Sequence, residues 1–197
     1  ALDAKGEILY CGNSATTMRL LAGALAASGK AAVLDGSAGL RSRPMERIVI
    51  PLREMGVPIS AAKNGGAPLV LEEREARIRL RSREIWLSQS SAQVKTCLLL
   101  AGLAAEGKTI VHEPAPSRDH SERMLRAMGV EVQQLDPLSI ALTPPVQPLQ
   151  PLQMILPADF SAAAFLMVAA LITPGSNIWM HDVGVNPGRI GLVHALR

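Results

Sequence analysis

The chain has 197 residues, 48% of them hydrophobic, enough to bury one substantial core or two small ones without metal or disulfide staples, which excludes a disordered polypeptide. A net charge of +3 with only 3% aromatic residues disfavours nucleic-acid binding, while a mild positive excess gathered in one cleft suits small anionic substrates. The longest apolar run, Ala162 to Ile172, falls short of the roughly 20 residues that span a bilayer, and Cys11 and Cys97 belong to no C-x-x-C pair or Cys/His cluster, so a soluble, cytoplasmic protein is expected.

In chain order, Glu7 to Cys11 reads as a strand, and Asn13 to Ser28 as a helix apolar all round and hence buried. Gly29 follows as its cap, then a strand at Ala31 to Leu34 and a second, amphipathic helix with Pro44 in its first turn. Val57 to Ala61, Pro68 to Glu72 and Ala76 to Leu80 alternate like half-exposed strands. Arg74, Arg77, Arg79, Arg81 and Arg83 read as solvated charges of an edge region. The order then recurs: strand Glu84 to Leu87, buried helix Ser91 to Glu106 with Gly107, strand Thr109 to His112, a second helix, and strands Val130 to Gln134 and Leu138 to Leu142. It begins a third time with the apolar helix Phe160 to Ile172, Gly175 and a strand at Asn177 to His181.

The second helices end alike, in Leu-Arg53-Glu-Met-Gly56-Val57 and Leu-Arg126-Ala-Met-Gly129-Val130, about 73 residues apart, which marks an internal repeat. The fold class expected is α/β (α+β), built of repeated β-α-β-α-β-β units with buried helices and sheets outside. The proline-rich stretch from Thr143 to Pro151 is the expected crossover between a domain at 1–150 and the start of another at 151–197, a long surface loop being the alternative. With no initiator Met and a helical pattern running into Arg197, the chain reads as a segment cut at both ends.

Chemistry concentrates at the helix entrances. Gly12-Asn13-Ser14-Ala15-Thr16-Thr17-Met18-Arg19 opens the first buried helix, where free N–H groups and the helix dipole attract anions, although a plain N-cap would look the same. Ser90-Ser91-Ala92-Gln93 repeats that entrance in the second unit. Arg43 and Arg118 stand beside the second helices, where a planar guanidinium suits carboxylate or phosphate. Asp159 reads as an N-cap, Arg189 carries little functional weight, and His112, His120, His181 and His194 lack metal-ligand spacing, so structural roles and no metal are expected.

Taken in order, Gly12-Asn-Ser-Ala-Thr-Thr-Met-Arg19, Arg41-x-Arg43-Pro44, Ser91-Ala-Gln93 and Ser117-Arg-Asp-His120 resemble the 5-enolpyruvylshikimate-3-phosphate synthases over essentially the whole chain. The resemblance is to the subgroup with Ala in the first motif, which tends to tolerate glyphosate. It implies two domains of three repeat units each, with phosphoenolpyruvate at Asn13, Ala15, Arg43 and Gln93. Shikimate 3-phosphate is then expected at Ser91, Ala92 and Gln93, its phosphate near Ser117 and Arg118. No cofactor is implied, the parent is expected to be a monomer, and the partner of this segment is the remainder of the same enzyme. No complete catalytic set is expected within the segment, because the family's other substrate and proton-transfer groups would lie before Ala1 and after Arg197. The alternatives are a non-catalytic module of the same fold and the sister transferase acting on UDP-N-acetylglucosamine, which uses a cysteine on a mobile loop.

Overall fold

The computed structural model describes residues 8–75 and 77–196. They divide into two compact units after Gln150.

The larger unit contains the repeat twice. The first copy runs β1 (Ile8–Tyr10), α1 (Ala15–Ser28), β2 (Ala32–Asp35), the short α2 (Ala38–Arg41), α3 (Glu46–Glu54), β3 (Ile59–Ser60) and β4 (Leu69–Leu71). The second runs β5 (Glu84–Trp86), α4 (Ala92–Gly102), β6 (Thr109–His112), α5 (His120–Ala127), β7 (Glu131–Asp136) and β8 (Ser139–Thr143). Each copy makes its own four-stranded sheet, ordered β1-β2-β4-β3 and β5-β6-β8-β7. In both, the first pair is parallel across a helix and the last two strands form an antiparallel hairpin. The β-α-β-α-β-β unit read from the sequence is therefore the folding unit.

The copies meet helix to helix. α1 also packs on β2 and β4, and α4 on β6 and β8, so Met18, Leu25, Leu98 and Leu99 lie in a core walled by the sheets. Gly23 makes this contact close: a Cβ there would stand 2.3 Å from the Cys97 carbonyl oxygen. Gly29 ends α1 in the left-handed region at φ 71°, its N–H donating to Leu25 O. Arg74 finishes that cap by donating from Nη2 to the carbonyls of Ala26 and Ala27 at 3.1 and 3.3 Å, a cation at the negative end of the helix.

The repeated Leu-Arg corner has a structural meaning. Arg53 Nε donates to Ile59 O and Arg126 Nε to Val132 O, both at 2.7 Å and both six residues ahead. Gly56 and Gly129 take φ 92° and 86°, and the N–H groups of Val57 and Val130 return to Leu52 O and Leu125 O at 2.9 Å. Each arginine thus ties the end of its helix to the strand that follows.

Several local expectations are corrected. α4 stops at Gly102 rather than Glu106, because Ala104 O accepts from Leu80 N–H and Glu106 N–H donates to Leu80 O, pulling the chain into a bridge. Of the strand expected at Ala76 to Leu80, only the Leu80 bridge forms, and Ala76 lies outside the described residues. Pro44 precedes α3 instead of entering its first turn, with Met45 as the cap. Arg74, Arg79 and Arg83 are not simply solvated, since each donates to a backbone carbonyl: Arg74 as above, Arg79 to Ala105 O and Arg83 to Glu54 O. His112 has the structural role expected: its ring stacks on Trp86 at 4.5 Å and bonds Ser139 and Glu84.

The smaller unit holds α6 (Phe160–Ile172) and α7 (Gly191–Ala195). The strand expected at Asn177 to His181 is absent, and a parallel bridge between Ala158 and Val183 stands where a β-α-β pair would start. α6 buries only Phe160 and Ala163, and Phe165, Leu166, Leu171 and Ile172 stay exposed, against the expectation of burial. So small a unit lacks the surface to cover a helix apolar on every side.

Candidate functional site

The two buried helices begin near each other because the repeat places α1 and α4 side by side. At the entrance of α1, Ser14 Oγ accepts from Thr17 N–H at 3.1 Å, while Ala15 and Thr16, in the first turn, have no carbonyl four residues back within the helix. Asn13 Oδ1 accepts from the Ser37 hydroxyl at 3.0 Å, which leaves its NH2 as the donor end.

Arg19 ties this entrance to the second copy. Though only 8% exposed, it donates from Nη1 to Gln93 Oε1 at 2.6 Å and from Nη2 to Pro44 O at 3.0 Å. Gln93 Nε2 in turn donates to Thr16 Oγ1 at 2.7 Å, so the amide is fixed at both ends with one N–H proton in reserve. Three of the sequence motifs thereby share one hydrogen-bonded patch. It is strongly positive: burial, and then the charges of Arg47 and Arg43, push the Arg19 guanidinium below its ordinary value. Arg43 is exposed, and Arg47 donates to Gln89 O at 3.1 Å.

At the entrance of α4, Ser91 Oγ accepts from Val94 N–H, so the Ser91 hydroxyl proton is not used by the cap, and Ala92 is the first helical residue. Ser90 and Ala115 exchange two bonds, the Ser90 hydroxyl donating to Ala115 O at 2.6 Å and accepting from Ala115 N–H at 2.9 Å. Glu113 continues the tie between the α4 entrance and the loop before α5: Oε1 accepts from Ser91 N–H at 3.3 Å and Oε2 from the Ser117 hydroxyl at 2.9 Å. Lys95 stands 2.7 Å from both Glu113 Oε2 and Glu122 Oε1, and these three charged side chains are buried together. Arg118 follows Ser117, half-buried.

Asn13, Ala15, Gln93, Ser91 and Ala92 thus line adjoining helix entrances, and Ser117 joins Ser91 through Glu113. Arg43 comes to the patch through the chain beside Pro44. A cleft of about 480 Å³ between α3 and β5 lies to one side, and its lining sets Glu46, Glu54 and Glu84 against Arg47, a net charge of the wrong sign for an anion.

This arrangement can be set beside known proteins. The sequence matches the EPSP synthase (3-phosphoshikimate 1-carboxyvinyltransferase) family over residues 1–197. The chain belongs to that family. Among curated relatives, the 3-phosphoshikimate 1-carboxyvinyltransferase of Syntrophomonas wolfei is 46% identical over 190 residues, covering 96% of this chain and 43% of the relative. That of Thermus thermophilus is 46% identical over 197 residues, covering 97% and 44%. The solved EPSP synthase of Acinetobacter baumannii superposes with a TM-score of 0.83 at 44% identity, over 95% of this chain and 42% of that one. The chain therefore spans less than half the length of the family members it matches.

Lys95 and Glu113 escaped the sequence reading, and Arg19 and Thr16 stood in the first motif without a role of their own. A signal existed for two of them, because Arg19 and Lys95 are charges inside helices otherwise apolar all round, where a buried ion needs a partner. Glu113 and Thr16 gave none, since their partners are set by packing.

Proposed function

We propose that this chain supplies the binding surface for phosphoenolpyruvate and shikimate 3-phosphate in a longer cytoplasmic enzyme, which transfers the enolpyruvyl group to the 5-hydroxyl of shikimate 3-phosphate and releases phosphate. The observation that carries the reading is the Arg19–Gln93–Thr16 network, which joins the entrances of α1 and α4 under the charges of Arg43 and Arg47. Two substrates bearing phosphate and carboxylate groups need such a fixed cluster of donors.

In this reading the phosphoenolpyruvate anion meets the Asn13 amide, the first-turn N–H groups at Ala15, the Gln93 proton left over from Thr16, and Arg43. Shikimate 3-phosphate takes the Ser91 hydroxyl, the N–H at Ala92 and the Arg118 guanidinium. Ser117 has a single hydroxyl proton, directed at Glu113 here, so donating it to phosphate requires the hydroxyl to turn. The reaction adds the 5-hydroxyl oxygen, as it gives up its proton, to C2 of the enol while C3 is protonated, and the resulting tetrahedral adduct then loses phosphate from C2 and a proton from C3, which restores the double bond. By holding both anions, these residues supply proximity and charge stabilisation. Asp159 is a poor base, since the Ser161 N–H that it caps holds its carboxyl below the usual range.

The sister transferase is disfavoured by its need for a reactive cysteine on a mobile loop: Cys11 and Cys97 are both free and buried, and burial pushes the Cys97 thiol up to about 12. The free thiols also suit a reducing compartment. The test is Arg118→Ala in the full-length protein, followed by calorimetric titration of each substrate. Losing a charge-assisted bond should weaken shikimate 3-phosphate by about 1.5 to 3 kcal/mol and phosphoenolpyruvate far less. Equal weakening of both would reject the assignment.

A further inference from the structure

We infer that Glu113 is a positioning residue, which sets the spacing between the two halves of the shikimate 3-phosphate site while touching neither substrate. The inference rests on the assignment of Ser91 and Arg118 to that substrate.

The chemistry of the contacts points to this role. Glu113 lies just past the end of β6, 7% exposed, and its two oxygens face different elements. Oε1 takes the N–H of Ser91, the residue that caps α4. Oε2 takes the hydroxyl of Ser117 in the loop that leads to α5. A carboxylate so buried needs a cation, and Lys95 provides it from the second turn of α4 at 2.7 Å. Lys95 also holds Glu122 on α5 at 2.7 Å. One ammonium therefore fixes the carboxylate, and through it the entrances of α4 and α5, into a single polar frame. Glu122 Oε2 is the one carboxylate oxygen of the group left without a hydrogen bond, and Glu122 lines, with Lys95, Glu113 and Ser117, a cavity of about 60 Å³.

The geometry also separates Glu113 from direct binding. A carboxylate repels a phosphate, and both of its oxygens are already engaged. Its service to the ligand is indirect: it keeps the Ser91 cap in place while that hydroxyl proton stays uncommitted, and it holds the chain immediately before Arg118. Glu113 and Lys95 make no contact with the Arg19–Gln93–Thr16 network among the hydrogen bonds and ion pairs of the described residues, so the effect should be confined to one substrate.

The decisive variant is Glu113→Gln in the full-length protein. It removes one of two carboxylates around a single ammonium, so Lys95 keeps a balanced partner in Glu122 and folding should be tolerated. The amide can still accept from Ser91 but presents a donor toward Lys95. The KM for shikimate 3-phosphate should rise roughly tenfold, as expected for one lost buried bond, with the KM for phosphoenolpyruvate and kcat at saturation within about twofold. A residue that only holds the fold would instead lower kcat by reducing the active fraction, at an unchanged KM for either substrate, and that result overturns the inference. Should Glu113→Gln fail to fold, Glu122→Gln, behind Lys95, must show the same substrate-selective rise at smaller size, and a change in kcat alone would again refute the role. Arg118→Ala run in parallel keeps the two readings apart. If it weakens shikimate 3-phosphate while the Glu113 variant does not, positioning is wrong and the site assignment stands; if neither changes, the site assignment itself has failed.

Discussion

Replacing Gly23 with alanine tests the closest helix contact of the fold, and two physical effects give it opposite signs. By helix propensity alone, alanine in mid-helix should stabilise the protein by about 1 kcal/mol. The added Cβ, however, would stand 2.3 Å from the Cys97 carbonyl oxygen and 2.9 Å from its carbonyl carbon and Cα. Ordinary contact is near 3.5 Å, so α1 and α4 must part by about 1 Å, and the obstacle is helix backbone that cannot rotate aside. Overpacking of this kind costs about 1 to 3 kcal/mol, and an unyielding neighbour puts it near the upper end, so about 2 kcal/mol of destabilisation should remain. Urea unfolding of the two chains, read as the midpoint shift at constant slope, measures it. The same displacement would stretch the 2.7 Å bond from Gln93 to Thr16, so phosphoenolpyruvate affinity should fall as well. A Gly23→Ala chain more stable than its parent would refute the argument, since propensity would then outweigh a contact the geometry calls severe.

Three further outcomes are expected. Ala15 is buried in the first turn of α1, and Ala15→Gly in the full-length protein should lower the glyphosate inhibition constant by about fivefold to a hundredfold if its methyl crowds the longer inhibitor. The KM for phosphoenolpyruvate should change much less, and an unchanged inhibition constant would remove Ala15 as a gate. With its thiol pushed up to about 12, Cys97 should be labelled by a thiol reagent at pH 8 only after denaturation, whereas rapid native labelling would show α1 and α4 separating. The bond from Arg41, with that from Gly36 N–H, holds the Asp35 carboxyl below its usual range, so the pair contributes its full stability above the unfolded value near 3.9 and loses it as pH falls through the lower folded value. The stability gap between the parent and Asp35→Asn should close on acidification below about pH 4, and a gap independent of pH would contradict the pairing.

What the sequence disclosed follows from how local each signal is. The Leu-Arg-x-Met-Gly corners and the all-apolar helices are statements about a few consecutive residues, and they fold as read, except that α4 ends early at Gly102 and α6 stays exposed. α4 and the segment 76–80 were misjudged because Leu80 and Ala105 compete for each other's backbone across a distance in sequence that no periodicity reports. Arg74, Arg79 and Arg83 looked solvated for the same reason, since their acceptors are backbone carbonyls distant in sequence. At the site, the entrances were visible as helix starts, but the links between them, Arg19 to Gln93 and Glu113 to Ser91 and Ser117, exist only after two copies of the repeat have packed.

The paired arginine corners separate what the two copies share from what each is free to alter. Arg53 and Arg126 close the same six-residue span with bonds of the same length, so the turn from helix to strand needs nothing from the opposite copy. The hairpins beyond them differ: β3 and β4 are joined by a long loop through Gly65 and Gly66, whereas β7 and β8 turn over Pro137 and Leu138. Among the described residues the copies thus share their corners and differ in the connections around them, the short α2 occurring in the first copy alone. The β3–β4 loop is no free tip: Gly65 O accepts from Met45 N–H at 2.9 Å, which ties the loop to the start of α3 beside Arg43, so a change of its length would be felt at the helix entrance.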